Sequence, residues 1–98
     1  MKLRKEEGNL LRWSGIYKGL ANPNRLKILK LLKDNKQMSV GELKDELKIS
    51  FKNTSWNLKI LRDLELVEYK GMADRVYYSL NPKLAKEIAQ ILQISIFN

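Results

Sequence analysis

Residues 39–62 read Ser39-Val40-Gly41-Glu42-Leu43-Lys44-Asp45-Glu46-Leu47-Lys48-Ile49-Ser50-Phe51-Lys52-Asn53-Thr54-Ser55-Trp56-Asn57-Leu58-Lys59-Ile60-Leu61-Arg62. Two amphipathic helical patterns lie here, with only a turn's worth of chain between them. The first opens on a capping box: Ser39, then Glu42 three residues on, each side chain able to accept from the other residue's backbone N–H. Val40, Leu43 and Leu47 supply its apolar face, and it runs to about Lys48. Ile49 and Ser50 then intervene. Ser50 is a natural N-cap for a second helix ending near Leu64, with Thr54, Leu58 and Leu61 in an i, i+4, i+7 row on its inner face. Two short helices joined this tightly form a helix-turn-helix, whose second member can lie in a DNA major groove.

The opposite face of that second helix holds Lys52, Trp56 and Lys59, flanked by Ser55 and Arg62. From Ser50 to Arg62 there are three cations and no acid. Lys52 and Lys59 can neutralise phosphates or reach guanine acceptors, Asn53 and Asn57 carry the donor–acceptor pair that suits adenine, and Ser55 can bond either. A solvated polar face would also carry lysines at helical spacing. DNA is favoured because charge, helix-turn-helix and the hairpin described next agree. Trp56 needs a use on such a face: stacking on sugar or a thymine methyl, or packing against a neighbouring helix.

C-terminal to this unit, Leu66 to Lys70 and Arg75 to Leu80 are β-branched and aromatic runs around Gly71-Met72-Ala73-Asp74, which predicts a β-hairpin with a four-residue tip. Lys70 and Arg75 flank the tip and can reach phosphates or the minor groove. Tyr77 and Tyr78 alternate faces, so one belongs to the core. Asn81-Pro82 caps a last helix, residues 82–97, on which Leu84, Ile88, Ile91 and Leu92 share a face.

N-terminal to it, Asn22-Pro23 opens a helix to about Lys33 or Asp34, whose Leu26, Ile28, Leu29, Leu31 and Leu32 cover over half its circumference and place it centrally. A short strand fits between it and Ser39. Arg25, a cation near a helix N-terminus, is expected to answer an acidic partner or a phosphate. Residues 9–20 form the first helix, with Leu10, Trp13, Ile16, Tyr17 and Leu20 at spacings of three and four. Its apolar face and that of the last helix exceed what one small core needs. A two-fold homodimer through Trp13, Ile16, Tyr17, Leu20, Leu84, Ile88, Ile91 and Leu92 would bury the surplus and set two recognition helices about 34 Å apart, one DNA turn.

Composition narrows the function. The 98 residues hold 19 Lys plus Arg against 11 Asp plus Glu, a net charge of +8, with neither Cys nor His. That favours one small basic domain spanning 1–98 with an anionic partner. It excludes disulfides, Cys or His metal sites, thiol catalysis and imidazole acid–base chemistry. The charged start from Met1 to Glu7 lacks a signal peptide's apolar region, and nothing approaches the roughly 20 apolar residues of a membrane span. The expected location is the cytoplasm, at the nucleoid, with no membrane partner.

Several stretches together resemble the winged-helix regulators of the ArsR type. They are Leu20-Ala21-Asn22-Pro23-Asn24-Arg25-Leu26-Lys27-Ile28-Leu29, Ser39-Val40-Gly41-Glu42-Leu43, Ser55-Trp56-Asn57-Leu58-Lys59-Ile60-Leu61 and Val76-Tyr77-Tyr78-Ser79-Leu80, about 60 residues in family order. The resemblance implies a mainly α fold with a small β-hairpin, a winged helix-turn-helix. It also implies a prokaryotic regulator that binds operator DNA as a two-fold dimer and represses until an effector binds. Three departures stand out. Glu42-Leu43-Lys44-Asp45-Glu46-Leu47 lacks the Cys motif of the family's metal sensors, the family's "S-x-H-L" histidine is Asn57, and the glycine of its "G-L-V" helix exit is Glu65.

The expectation is therefore a sequence-specific double-stranded-DNA-binding repressor without a metal or other cofactor. An effector, if there is one, sits at the dimer interface. The alternatives are a protein-interaction module on the same fold and a non-specific DNA-binding protein. An enzyme is disfavoured, since no catalytic constellation is present.

Overall fold

The computed structural model describes residues 4–97, with side chains through Ser95; the Met1 to Leu3 part of the charged start lies outside the described residues. The order is α1 (Lys5–Leu20), α2 (Pro23–Asn35), β1 (Gln37–Ser39), α3 (Val40–Leu47), α4 (Phe51–Asp63), β2 (Val67–Met72), β3 (Arg75–Leu80) and α5 (Ala85–Phe97). The three strands form one antiparallel sheet in the order β1-β3-β2. This is the winged helix-turn-helix expected.

Helix α2 is the hub. It packs against α1, α3, α4, α5 and the sheet. Ile28, Leu29 and Leu32 are fully buried and Leu26 and Leu31 partly so, which is why its apolar residues spread so widely. Around it the core gathers Ile16 and Leu20 from α1, Leu43 and Leu47 from α3, Leu58 and Leu61 from α4, Val67 and Tyr78 from the sheet, and Ile88 and Leu92 from α5. Of the two neighbouring tyrosines, Tyr78 is the one that faces the core.

Three boundaries differ from the sequence reading. Helix α1 starts at Lys5, not Asn9: apolar periodicity begins only at Leu10, but Glu6 and Glu7 in the first turn suit the helix dipole and extend the helix outward. The short strand does form, pairing Gln37 with Ser79 and Ser39 with Tyr77. The hairpin tip is two residues, since Met72 pairs with Arg75 and leaves only Ala73 and Asp74 unpaired. Ala73 takes the positive φ of 56° that so tight a turn demands, while Gly71 lies within the strand. Helix α5 starts at Ala85 rather than at residue 82. Asn81 instead caps a turn, its Oδ1 accepting from Lys83 N (3.0 Å) and its Nδ2 donating to Glu65 O (2.8 Å).

The exit of α4 is a Schellman motif. Glu65 N donates to Arg62 O (2.9 Å) and Leu66 N to Leu61 O (3.0 Å), with Leu61 and Leu66 both buried as the motif's apolar pair. Its left-handed residue is Glu65, at φ 62°. The chain thus keeps the backbone shape glycine would adopt freely and carries the strain in a side-chain-bearing residue. Glu65→Gly is expected to stabilise the fold by about 0.5–1 kcal/mol, read as a raised midpoint in urea. The exposed Arg12–Glu65 pair at 3.9 Å, lost in that variant, offsets little of this.

Candidate nucleic-acid interface

Two N-caps set the helix-turn-helix. Ser39 Oγ accepts from Glu42 N (3.2 Å) while Glu42 Oε1 accepts from Ser39 N (2.9 Å), the capping box read from sequence. Those hydrogen bonds from Ser39 hold the Glu42 carboxyl below its ordinary pKa. Lys48 closes α3 in the left-handed conformation, φ 58°, and turns the chain toward α4. There Ser50 Oγ accepts from Asn53 N (3.0 Å), and Thr54 Oγ1 donates back to Ser50 O (2.9 Å). The caps leave Thr54, Leu58 and Leu61 fully buried, as their spacing predicts.

Lys52, Asn53, Trp56 and Lys59 are exposed on the opposite face, with Ser55 and Arg62 half-buried beside them. Trp56 is 59% exposed, so packing within this chain does not account for it. Lys59 Nζ lies 2.8 Å from Asp63 Oδ2. Arg62 sits over the Tyr69 ring at 4.9 Å, joining α4 to the hairpin by a cation–π contact. Lys70 and Arg75 are exposed on the two strands of the wing, and Arg75 lies close enough to Glu42 to bias its carboxyl toward the charged form.

Asn57 is the correction. It is 3% exposed and turned away from any groove. Its Oδ1 accepts from Arg25 Nη1 (2.9 Å), and its Nδ2 donates to Asn53 O and to Asn53 Oδ1 (both 3.0 Å). The reason is geometric: positions 54, 57, 58 and 61 form one i, i+3, i+4, i+7 stripe, and a polar residue on that stripe must bring its own hydrogen bonds inside. Arg25 is corrected with it. Instead of an acid or a phosphate it takes the Gly19 carbonyl through Nε and Asn57 through Nη1.

The proposed dimer residues divide. Ile16, Leu20, Ile88 and Leu92 are buried in this chain's own core and have almost no surface to offer a partner. Trp13, Leu84 and Ile91 are half-buried, and Tyr17 is 59% exposed, its ring 5.9 Å from that of Trp13. The open apolar surface also includes Leu10, the first residue of the α1 periodic row, and Leu11 and Ile94, which that periodicity passed over. Exposed Phe51 and Val76 were missed as well. They line a shallow groove with Ser39, Glu42 and Arg75, between the helix-turn-helix and the wing tip. A large aromatic off the 54-58-61 row was the available signal for Phe51.

The Lys59–Asp63 pair sets an expected result. Lys59 holds the Asp63 carboxyl below its ordinary pKa, so Asp63 stays anionic down to more acidic pH than a free aspartate, and mild acid does not release Lys59. Asp63→Asn does release it, and also removes an anion from the basic face. DNA affinity should rise roughly three- to tenfold in a low-salt titration, with a steeper salt dependence.

A tight helix-turn-helix, a cationic outer face and a wing that exposes Lys70 and Arg75 on one domain suit a DNA-binding regulator. The model of bacterial regulatory proteins of the arsR family matches residues 22–69, from the α2 cap through the helix-turn-helix into β2. The transcriptional activator HlyU of Vibrio cholerae is 36% identical over 92 residues, covering 94% of this chain and 84% of HlyU. This chain belongs to the arsR family. The transcriptional repressor SdpR of Bacillus subtilis is 31% identical, over 76% of this chain and 81% of SdpR. The solved structure of reduced HlyU superposes with a TM-score of 0.80 at 33% identity, covering 98% of this chain and all of that one. As an arsR-family member the protein is a DNA-binding transcriptional regulator, not an enzyme. No helix among the described residues is long and apolar enough to cross a membrane, and no group of three or more carboxylates among them is placed to hold a metal.

Proposed function

We propose that the protein is a homodimeric repressor that recognises a palindromic operator, working in the cytoplasm at the nucleoid and responding to no Cys- or His-bound metal. The observation that carries this reading is the outer face of α4, where Lys52, Asn53, Trp56 and Lys59 stand exposed with Ser55 and Arg62 beside them and the wing cations Lys70 and Arg75. Phosphate neutralisation by the lysines supplies affinity, and the polar side chains of the first turns supply the reading of base edges. The exposed apolar residues Leu10, Leu11, Tyr17 and Ile94 on the terminal helices supply a surface for a second copy. The domain 1–98 thus divides into a reading unit at its centre and dimerising helices at its ends. A dimer seated across a promoter represses by occlusion, the sign SdpR carries in its name. The chain has neither thiol nor imidazole, so any effector binds through other chemistry.

Selection of bound duplexes from random fragments at physiological salt tests the whole reading. A palindromic winner preferred by about 10³-fold or more over scrambled DNA is the expected result. Weak binding without selection, lost as salt rises, would leave only a basic surface, and a stoichiometric protein partner would then be the thing to seek.

A further inference from the structure

Arg25, Asn57 and Asn53 form a chain of hydrogen bonds in which each link dictates the next. Arg25 Nη1 is a donor, so the Asn57 atom facing it at 2.9 Å must be the amide oxygen. The other Asn57 terminus faces the backbone carbonyl of Asn53 at 3.0 Å, an acceptor, so it must be the NH2 group. That group has one proton left, directed at the Asn53 side chain at 3.0 Å, and only an oxygen can receive it. The Asn53 amide is thereby locked with Oδ1 inward. Its Nδ2 is left on the exposed side, with no partner among the described residues, in the first turn of α4 just after the Ser50 cap. The adenine pairing expected of Asn53 from its residue type alone needs both termini, and one is already committed.

We propose that Asn53 is a specificity-determining residue that reads guanine as a pure donor, with Arg25 and Asn57 as the positioning residues that fix its orientation. The proposal rests on the reading of α4 as the helix that enters the groove. Guanine offers two adjacent major-groove acceptors, N7 and O6, to the two Nδ2 protons. Adenine sets a donor beside its N7, cytosine presents a donor, and thymine has a single acceptor beside a methyl group.

The test uses the full chain on the duplex that selection yields, with all four base pairs placed in turn at each half-site position. Wild type should prefer guanine at one position by roughly 5- to 150-fold, and Asn53→Ala should flatten that position alone. Replacing that guanine by 7-deazaguanine should weaken wild type and leave Asn53→Ala unmoved. Asn57→Asp keeps an acceptor for Arg25 but has no proton for Asn53, so the Asn53 amide turns over and the preference moves to a base that presents a donor, cytosine or adenine. A purely structural role for Asn57 would lower affinity for all four bases equally. If Asn57→Asp melts below the assay temperature, the deaza substitution with Asn53→Ala decides alone. Selective binding by wild type with Asn53→Ala unchanged at every position overturns the role of Asn53 and leaves the regulator standing. A flattened position at which wild type prefers adenine or cytosine overturns the donor assignment. A wild type that selects no duplex overturns both readings.

Discussion

Lys52→Ala combined with Lys59→Ala is expected to remove operator binding at physiological salt while leaving the fold intact. Both side chains are exposed on α4, and neither contributes to the core. Among the described residues, the partner of Lys59 is Asp63 on the next turn, an exposed pair of the kind that adds little to stability. In a dimer the double variant withdraws four cations. If each neutralises one phosphate, the slope of log K against log salt falls by about 3.6, and at about 0.15 M salt affinity drops by about 10³-fold. The loss should grow as salt is lowered and shrink as it is raised, which separates counterion release from a broken fold. A double variant that binds the operator as tightly as wild type would place the recognition surface elsewhere.

The parts of this molecule that were legible in the sequence are those fixed by local rules. Asn22 before Pro23, Ser39 with Glu42, and Ser50 before a helix with no acid in its first turns each name a helix start, and all three caps form with the expected hydrogen bonds. The core followed from spacing, because apolar residues at three and four can face only one way. What escaped depends on contacts between distant residues. Arg25 and Asn57 lie 32 positions apart, and nothing local says that one will satisfy the other inside the protein. Treating Asn57 as a reader followed from its amide. Its place on the Thr54–Leu58–Leu61 stripe was the stronger indication and pointed inward. The start of α1 and the two-residue hairpin tip were missed for a different reason. Apolar periodicity is silent over Lys5-Glu6-Glu7, and strand pairing pulled Gly71 and Met72 out of the turn their composition suggested.

The dimer surface shows the same limit from the other side, and it carries the second large expected effect. Of the residues that periodicity singled out, Ile16, Leu20, Ile88 and Leu92 are buried within one chain; a partner must therefore use the more exposed members of those rows and the residues beside them. Leu10 at 64% and Tyr17 at 59% exposure meet this requirement on α1, and Leu10, Trp13 and Tyr17 line one shallow apolar depression. Replacing Leu10 and Tyr17 together by lysine sets two cations where an apolar contact would form, without touching the core, so a folded monomer is expected. Each monomer still carries a complete α4 and wing, and it should bind a half-site and non-specific DNA nearly as wild type does. What it loses is the second half-site as an intramolecular event, worth roughly 10² to 10⁴ in affinity for the palindrome. Sedimentation and titration of full and half operators read the two effects separately. A variant that sediments as a monomer yet holds the palindrome undiminished would mean that one copy suffices for recognition, and one that stays dimeric would move the interface off this face of α1.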